Sequence, residues 1–325
     1  MRHSLVTGGA GFIGSHLTEA LLARGDRVTV VDDLSTGSLR NLHGVAQRAE
    51  LCIVEGSVGD SSVMEPLLTD VDRVYHLAAA VGVALIAEDP IRTIETNVAP
   101  TAALLKLLVS EPARRQRVKL FIASSSEVYG KNPKPRWNED DDLVFGPTTR
   151  PRWSYGVTKA IDEFLALAYY RQHGLSVVVG RFFNVVGPRQ TGSYGMVLPR
   201  LVSAALAGGP LVVHDDGQQV RCFAHVADVV RVVLALVETP AAVGRAFNIG
   251  SDQPVTILDL ARRVAAQVNP ALRIVHQSYQ EAYSEDFEDV RSRVPDLSRL
   301  RELVDCTPQH ELDQTIREVI ESLRA

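Results

Sequence analysis

The chain has 325 residues, 46% apolar and 22% charged, with a formal charge of −5 from 34 basic and 39 acidic side chains. That balance, with no basic stripe, argues against nucleic acid as a partner, and no apolar run approaches the roughly 18 residues that a membrane span needs. Cys52, Cys222 and Cys306 are dispersed and lack any metal-binding spacing, which argues against a disulfide framework or a metal and for a reducing cytoplasm.

The opening MRHSLVTGG shows no apolar signal segment and reads directly as strand and turn. A helix is expected over Ile13 to Ala23, then strands in RVTVVD, ELCIVEG and VDRVYHLAA. A helix over Thr93 to Val109 precedes a strand in KLFIASSS, and a helix over Ser154 to His173 precedes one in LSVVVGRFF. Strands alternating with helices imply a parallel sheet covered on both faces, so the expected class is α/β, a doubly wound parallel sheet. After Asn184 the rhythm breaks into shorter elements divided by Gly and Pro, while HVADVVRVVLALVET and RAFNIG look like one more helix and strand of the first lobe. The expected domains are therefore 1–183 plus about 222–250 for a dinucleotide lobe, and about 184–221 plus 251–325 for a smaller substrate lobe.

Three local patterns carry chemistry. VTGGAGFIG places Gly8, Gly11 and Gly14 between a strand and a helix, where glycines let the backbone approach a pyrophosphate at the helix N-terminus. The second strand ends in Asp32, placed to accept both ribose hydroxyls and to repel a 2′-phosphate. Asp33 follows with no arginine at the strand tip, which favours NAD over NADP. In YGVTK, Tyr155 and Lys159 stand four apart on one helical face, a spacing at which the ammonium is expected to lower the phenol's pKa and make it a general base. The strand ending IASSSEVYG brings Ser125, positioned to hydrogen-bond the substrate hydroxyl that Tyr155 deprotonates, and one carboxylate, Glu127.

In this order, the glycine loop, Asp32, HLAA, the serine strand, Tyr155 with Lys159, and RFFNVVGPR resemble the extended short-chain dehydrogenase/reductases over essentially the whole chain, and most closely their nucleotide-sugar branch. The resemblance implies a Rossmann lobe holding NAD with Gly8, Gly11, Phe12, Ile13, Gly14, Asp32, Asp33, Ser57, Val58, Leu77, Ala78, Ala79, Asn97, Tyr155 and Lys159. It implies a UDP-sugar held by Asn184, Arg189, Val197, Arg221 and Arg293, and a homodimer paired through the two long helices. Two departures stand out: Ser57 occupies a position where relatives carry an aspartate, although Asp60 follows, and the loop AAVGVALIAEDP, expected to line the sugar pocket, fits no single activity.

Within the branch, chemistry begins with oxidation at the sugar C4. SEVYG, GPTTRPRWSYGVTK and RCF are similar to uronate decarboxylases, in which the 4-keto acid loses carbon dioxide. Ser126 stands where the common dehydratases carry an aspartate. The favoured expectation is decarboxylation of UDP-glucuronate to UDP-xylose or the 4-keto pentose, with Glu127 orienting or repelling the carboxylate and supplying a proton through water. Such a buried glutamate is expected to have a raised pKa. The alternatives are a 4-epimerase of a UDP-hexose or UDP-hexuronate, a 4,6-dehydratase, and a catalytically silent binding protein.

Overall fold

A computed structural model describes residues 1–81, 89–192, 196–282 and 289–324. Most of the loop expected to line the sugar pocket, 82–88, lies outside the described residues.

Seven strands of the described chain form one parallel sheet: β1 His3–Thr7, β2 Arg27–Asp32, β3 Leu51–Glu55, β4 Arg73–His76, β5 Lys119–Ser125, β6 Ser176–Phe182 and, after four short strands, β11 Arg245–Ile249. Their order is β11-β6-β5-β4-β1-β2-β3. The order reverses between β1 and β4, so the chain leaves these neighbours toward opposite sides and opens a crevice at their carboxyl ends, where ligands of such sheets bind. Val28, Val30, Val31, Val74, Leu120, Phe121, Ile122, Val177 and Val179 are all buried, as expected when helices cover both faces. Each fully buried Val, Leu or Phe contributes about 1.5–3 kcal/mol.

Helices Phe12–Ala23 and Val226–Glu238 pack with one apolar cluster, helices Pro90–Ser110 and Ser154–His173 with the other. Leu297, Leu300 and Cys306, late in the chain, join the first of these clusters. A separate core forms around helices Val197–Leu206, Ile257–Val268 and Leu312–Arg324. Beside it, β8 Leu211–His214 pairs with β13 Ile274–Gln277, and β9 Val220–Cys222 lies between β12 Pro254–Thr256 and β14 Ser292–Arg293. The β9–β14 pairing is parallel and sets Arg221 beside Arg293. This register brings two distant arginines to one wall.

Candidate active site

A cavity of about 480 Å3 runs from the glycine turn, past the ends of β1, β4 and β5, to the β9–β14 wall. Its size suits a small-molecule site.

At one end, Gly8 adopts φ +70°, and a Cβ there would stand 2.8 Å from the Ala78 backbone. A Cβ on Gly14 would lie 2.0 Å from the Gly8 carbonyl oxygen. These glycines are therefore required for the turn to close against the helix. The helix begins at Phe12 without a side-chain cap or an acid in its first turn, so its N–H groups and positive dipole end remain available to an anion. Asp32 is buried and accepts the Ala10 and Leu34 N–H groups at 2.9 Å, one on each oxygen. Each oxygen keeps a lone pair for a ribose hydroxyl. Burial pushes its pKa up, more than the two backbone donors lower it. Asp33, Ser57, Val58, Leu77, Ala78, Ala79, Phe12 and Ile13 also line the cavity. These features fit a dinucleotide.

Asp32→Ala should narrow the ratio of NAD to NADP affinity by about tenfold, because a carboxylate beside a 2′-phosphate repels it. Binding titrations with the two dinucleotides check this; an unchanged ratio would remove the ribose role of Asp32.

Asn97 and Asp60 stand outside the cavity lining. The Asn97 amide accepts from the Ala80 N–H at 2.8 Å and donates to the Ala80 carbonyl at 3.2 Å, clamping the segment after β4 from behind. Asp60 caps the helix Ser61–Leu67 by accepting the Ser62 N–H.

At the centre, β5 delivers its three serines to distinct partners. Ser124 is buried and bonds the Glu163 carboxylate, which Arg181 also grips through Nε and Nη2 at 2.7–3.1 Å. That network fixes the end of β5 to the Ser154–His173 helix. The Ser125 hydroxyl accepts the Glu127 N–H at 3.2 Å and reaches the Tyr155 phenol. Ser126 is buried in the cavity wall. Tyr155 and Lys159 line the cavity and are only 6% and 3% exposed.

The expected depression of the phenol pKa is not what the structure gives. Burial first, then the Glu127 carboxylate, push it above its ordinary value. Lys159 is paired with Asp162 at 3.2 Å, so its charge is partly spent before it reaches Tyr155.

Glu127 also departs from expectation. Burial works to raise its pKa, but two guanidiniums outweigh burial and hold it well below the usual carboxylate range. Arg152 makes a paired contact at 2.7 and 3.1 Å, and Arg293 donates to Oε1 at 2.6 Å. A planar fork on a carboxylate is among the stronger ion-pair geometries. Glu127 is thus an anion locked between two cations. Arg152 was not singled out from the sequence; the available signal was its place three residues before Tyr155, one helical turn away.

Beyond it, Arg221 donates twice to Asp289, at 2.9 and 3.0 Å, and the Tyr279 hydroxyl donates to the same carboxylate at 2.6 Å. Asn184 and Val197 line the cavity, the former with its amide on the Cys222 carbonyl at 3.0 Å. Arg189 does not line it. Its backbone is left-handed, φ 70°, and its guanidinium turns to Glu19 and Ser15 on the first helix. It ties the segment after Asn184 to the first helix. No group of His, Cys, Asp and Glu among the described residues has the arrangement of a metal site.

A doubly wound sheet with a buried acid at the end of its second strand, and a serine, tyrosine and lysine at the switch-point crevice, defines a dinucleotide-dependent enzyme of hydroxyl chemistry. Residues 4–250 match the model of the NAD dependent epimerase/dehydratase family, and the chain belongs to that family. It is 38% identical to a UDP-N-acetyl-alpha-D-glucosaminuronate decarboxylase of Bacillus cytotoxicus, over 99% of this chain and 98% of that one. It is 33% identical to UDP-glucuronic acid decarboxylase 1 of Arabidopsis thaliana, over 98% of this chain and 69% of that one. Among solved structures it resembles the UDP-glucuronic acid 4-epimerase of Bacillus cereus in complex with UDP-glucuronic acid and NAD, with a TM-score of 0.87, 26% identity and 99% of each chain covered.

Proposed function

We propose that the protein is an NAD-dependent decarboxylase of a UDP-hexuronic acid, working through a 4-keto intermediate. The observation that carries this reading is the arginine pair on Glu127. Arg152 and Arg293 present two positive charges to one carboxylate at the cavity wall, leaving a surplus that suits a second carboxylate, that of the sugar. The ring of a neutral hexose would bring only hydroxyls to that surplus, its nucleotide's charge lying on the diphosphate. The naming of the similar proteins as decarboxylases of uronic and 2-acetamido-uronic sugars supports the same substrate class.

In this reading Tyr155 takes the proton of the sugar 4-hydroxyl, with Ser125 aligning that hydroxyl. Bound NAD supplies the hydride acceptor for C4. The resulting β-keto acid breaks its C5–C6 bond; the electron pair enters the ketone as an enolate, carbon dioxide leaves, and C5 gains one proton. The arginines hold the departing carboxylate out of the ring plane. Arg221, on the same wall, is placed to meet the diphosphate by exchanging its Asp289 contact.

The test is incubation with NAD and, separately, UDP-glucuronate and its 2-acetamido counterpart, following carbon dioxide and the sugar product by NMR. Carbon dioxide with a pentose supports the reading, and the product's C4 shows whether the ketone is reduced again. The likeness to a uronate 4-epimerase favours one rival: a 4-epimer without carbon dioxide would establish it. No reaction with either acid would overturn the uronate reading.

We also infer a homodimer. Ile91 and Ile94 on the Pro90–Ser110 helix are 69% and 45% exposed, and Phe164 on the neighbouring Ser154–His173 helix is 65% exposed. Val157, Ile161 and Phe164 follow helical spacing and form one apolar stripe. Phe164→Glu should convert the dimer to a monomer in sedimentation velocity; an unchanged sedimentation coefficient would move the interface elsewhere. The free thiols Cys52, Cys222 and Cys306 suit a reducing cytoplasm, and no described helix is long and apolar enough to cross a membrane.

A further inference from the structure

Among the buried acids that the proposed chemistry leaves unused, one is paired with Lys159. Asp162 lies three residues beyond Lys159 on the same helix and is 0% exposed. Its Oδ2 accepts from Lys159 Nζ at 3.2 Å. Its Oδ1 has no hydrogen-bond partner among the described residues. The Thr101 hydroxyl stands beside it, but gives its hydrogen to the Asn97 carbonyl at 2.8 Å. Thr101 in turn meets His76 Nε2 at 3.0 Å, and His76 Nδ1 meets the Thr7 hydroxyl at 2.8 Å. Burial, and then the charge of Lys159, push His76 down to about 3, so this ring is neutral and supplies no second counter-charge.

A carboxylate at this depth costs several kcal/mol to desolvate, and this one is half satisfied. Volume alone would be filled better by an apolar side chain. What the carboxylate adds is a fixed negative charge on the catalytic lysine. We infer that Asp162 is a positioning residue for the base, anchoring the Lys159 ammonium and cancelling part of the positive charge that Lys159 directs at the Tyr155 phenol. This rests on reading Tyr155 as the base.

The charged groups around the phenol show why Asp162 matters. Asp162, paired with Lys159, acts on it from its own helix, and Glu127 from the turn after β5, beside the Ser125 hydroxyl. Arg293 faces it from β14, and Arg152 and Arg293 both pair with Glu127. Neutral His76, on β4, lies within reach of the Lys159 charge. Making Asp162 neutral therefore leaves the Lys159 ammonium uncompensated, and the phenolate gains stability.

Asp162→Asn should shift the acid limb of the turnover profile down by about one pH unit, giving up to roughly tenfold more turnover at a pH below the wild-type limb. Asp162→Glu, which keeps the charge, should keep the limb. Independently of any sugar, the NAD-loaded protein with tyrosine labelled at the ring carbon bearing oxygen reports the phenol by NMR, its signal assigned with Tyr155→Phe. The phenol of Asp162→Asn should titrate earlier than that of the wild type. A phenol that titrates no earlier, or a profile that merely scales, overturns the inference, because a packing defect lowers rate or stability without moving the limb. Should the amide variant not fold, Asp162→Ser gives the same neutral test. If no sugar is turned over, the functional reading fails, while the NMR titration still decides the role of Asp162.

Discussion

Tyr155→Phe should lower turnover by about a thousandfold while leaving NAD affinity within about threefold of the wild type. The ring is 6% exposed and its packing survives the substitution, so the loss is confined to one oxygen. That oxygen meets the Ser125 hydroxyl at the cavity wall, where in the proposed mechanism a sugar hydroxyl loses its proton for C4 to be oxidised. The pH dependence carries a sign. Burial and the Glu127 carboxylate raise the phenol's pKa, so at neutral pH it is largely protonated and the wild-type rate should climb with pH until the base is ionised. The residual rate of the variant should lack that climb. Steady-state rates across pH, with NAD binding measured in parallel, check both parts; normal turnover would refute the assignment of the base.

Glu127→Gln should produce a comparably large effect of two kinds. Stability should fall by about 3–5 kcal/mol, since the amide leaves Arg152 and Arg293 buried with an uncompensated charge. Because the folded pKa lies below the ordinary glutamate value of 4.5, this stabilisation is complete above that value and is lost as pH falls below it. The difference between wild type and variant in denaturant unfolding should therefore be full at neutral pH and shrink only in acid. Kinetically, hydride abstraction should remain measurable by cofactor absorbance, while product release after the ketone stage should fall by about a hundredfold. Equal stability at neutral pH would mean that the arginines find other partners, and unchanged product formation would make Glu127 merely structural.

Much of this molecule is legible in one dimension. Alternating apolar runs and helical patterns determine the parallel sheet, because period-2 and period-3.6 burial must each find a face. The glycine spacing, Asp32 and the Tyr155–Lys159 interval are local too, each lying within one turn or one helix, so their geometry follows from the chain's own stereochemistry. Charge states were not legible in this way. Glu127 read as an isolated buried acid, whose pKa would rise; folding surrounds it with Arg152 from the turn before the tyrosine helix and Arg293 from β14, and the sign reverses. Lys159 read as free to act on Tyr155; the third residue beyond it in the helix, Asp162, pairs with its ammonium at 3.2 Å. Arg189 and Arg221 sit in equally suggestive motifs, yet a left-handed backbone turns one toward the first helix, and strand register sets the other beside Arg293 on the cavity wall. A pKa or a ligand contact depends on every charge within a few ångströms, whatever its distance along the chain. The sequence by itself therefore determined the fold and the cofactor class and pointed to the proposed base, while the tertiary structure alone decided which ions meet, and so the electrostatics around that tyrosine.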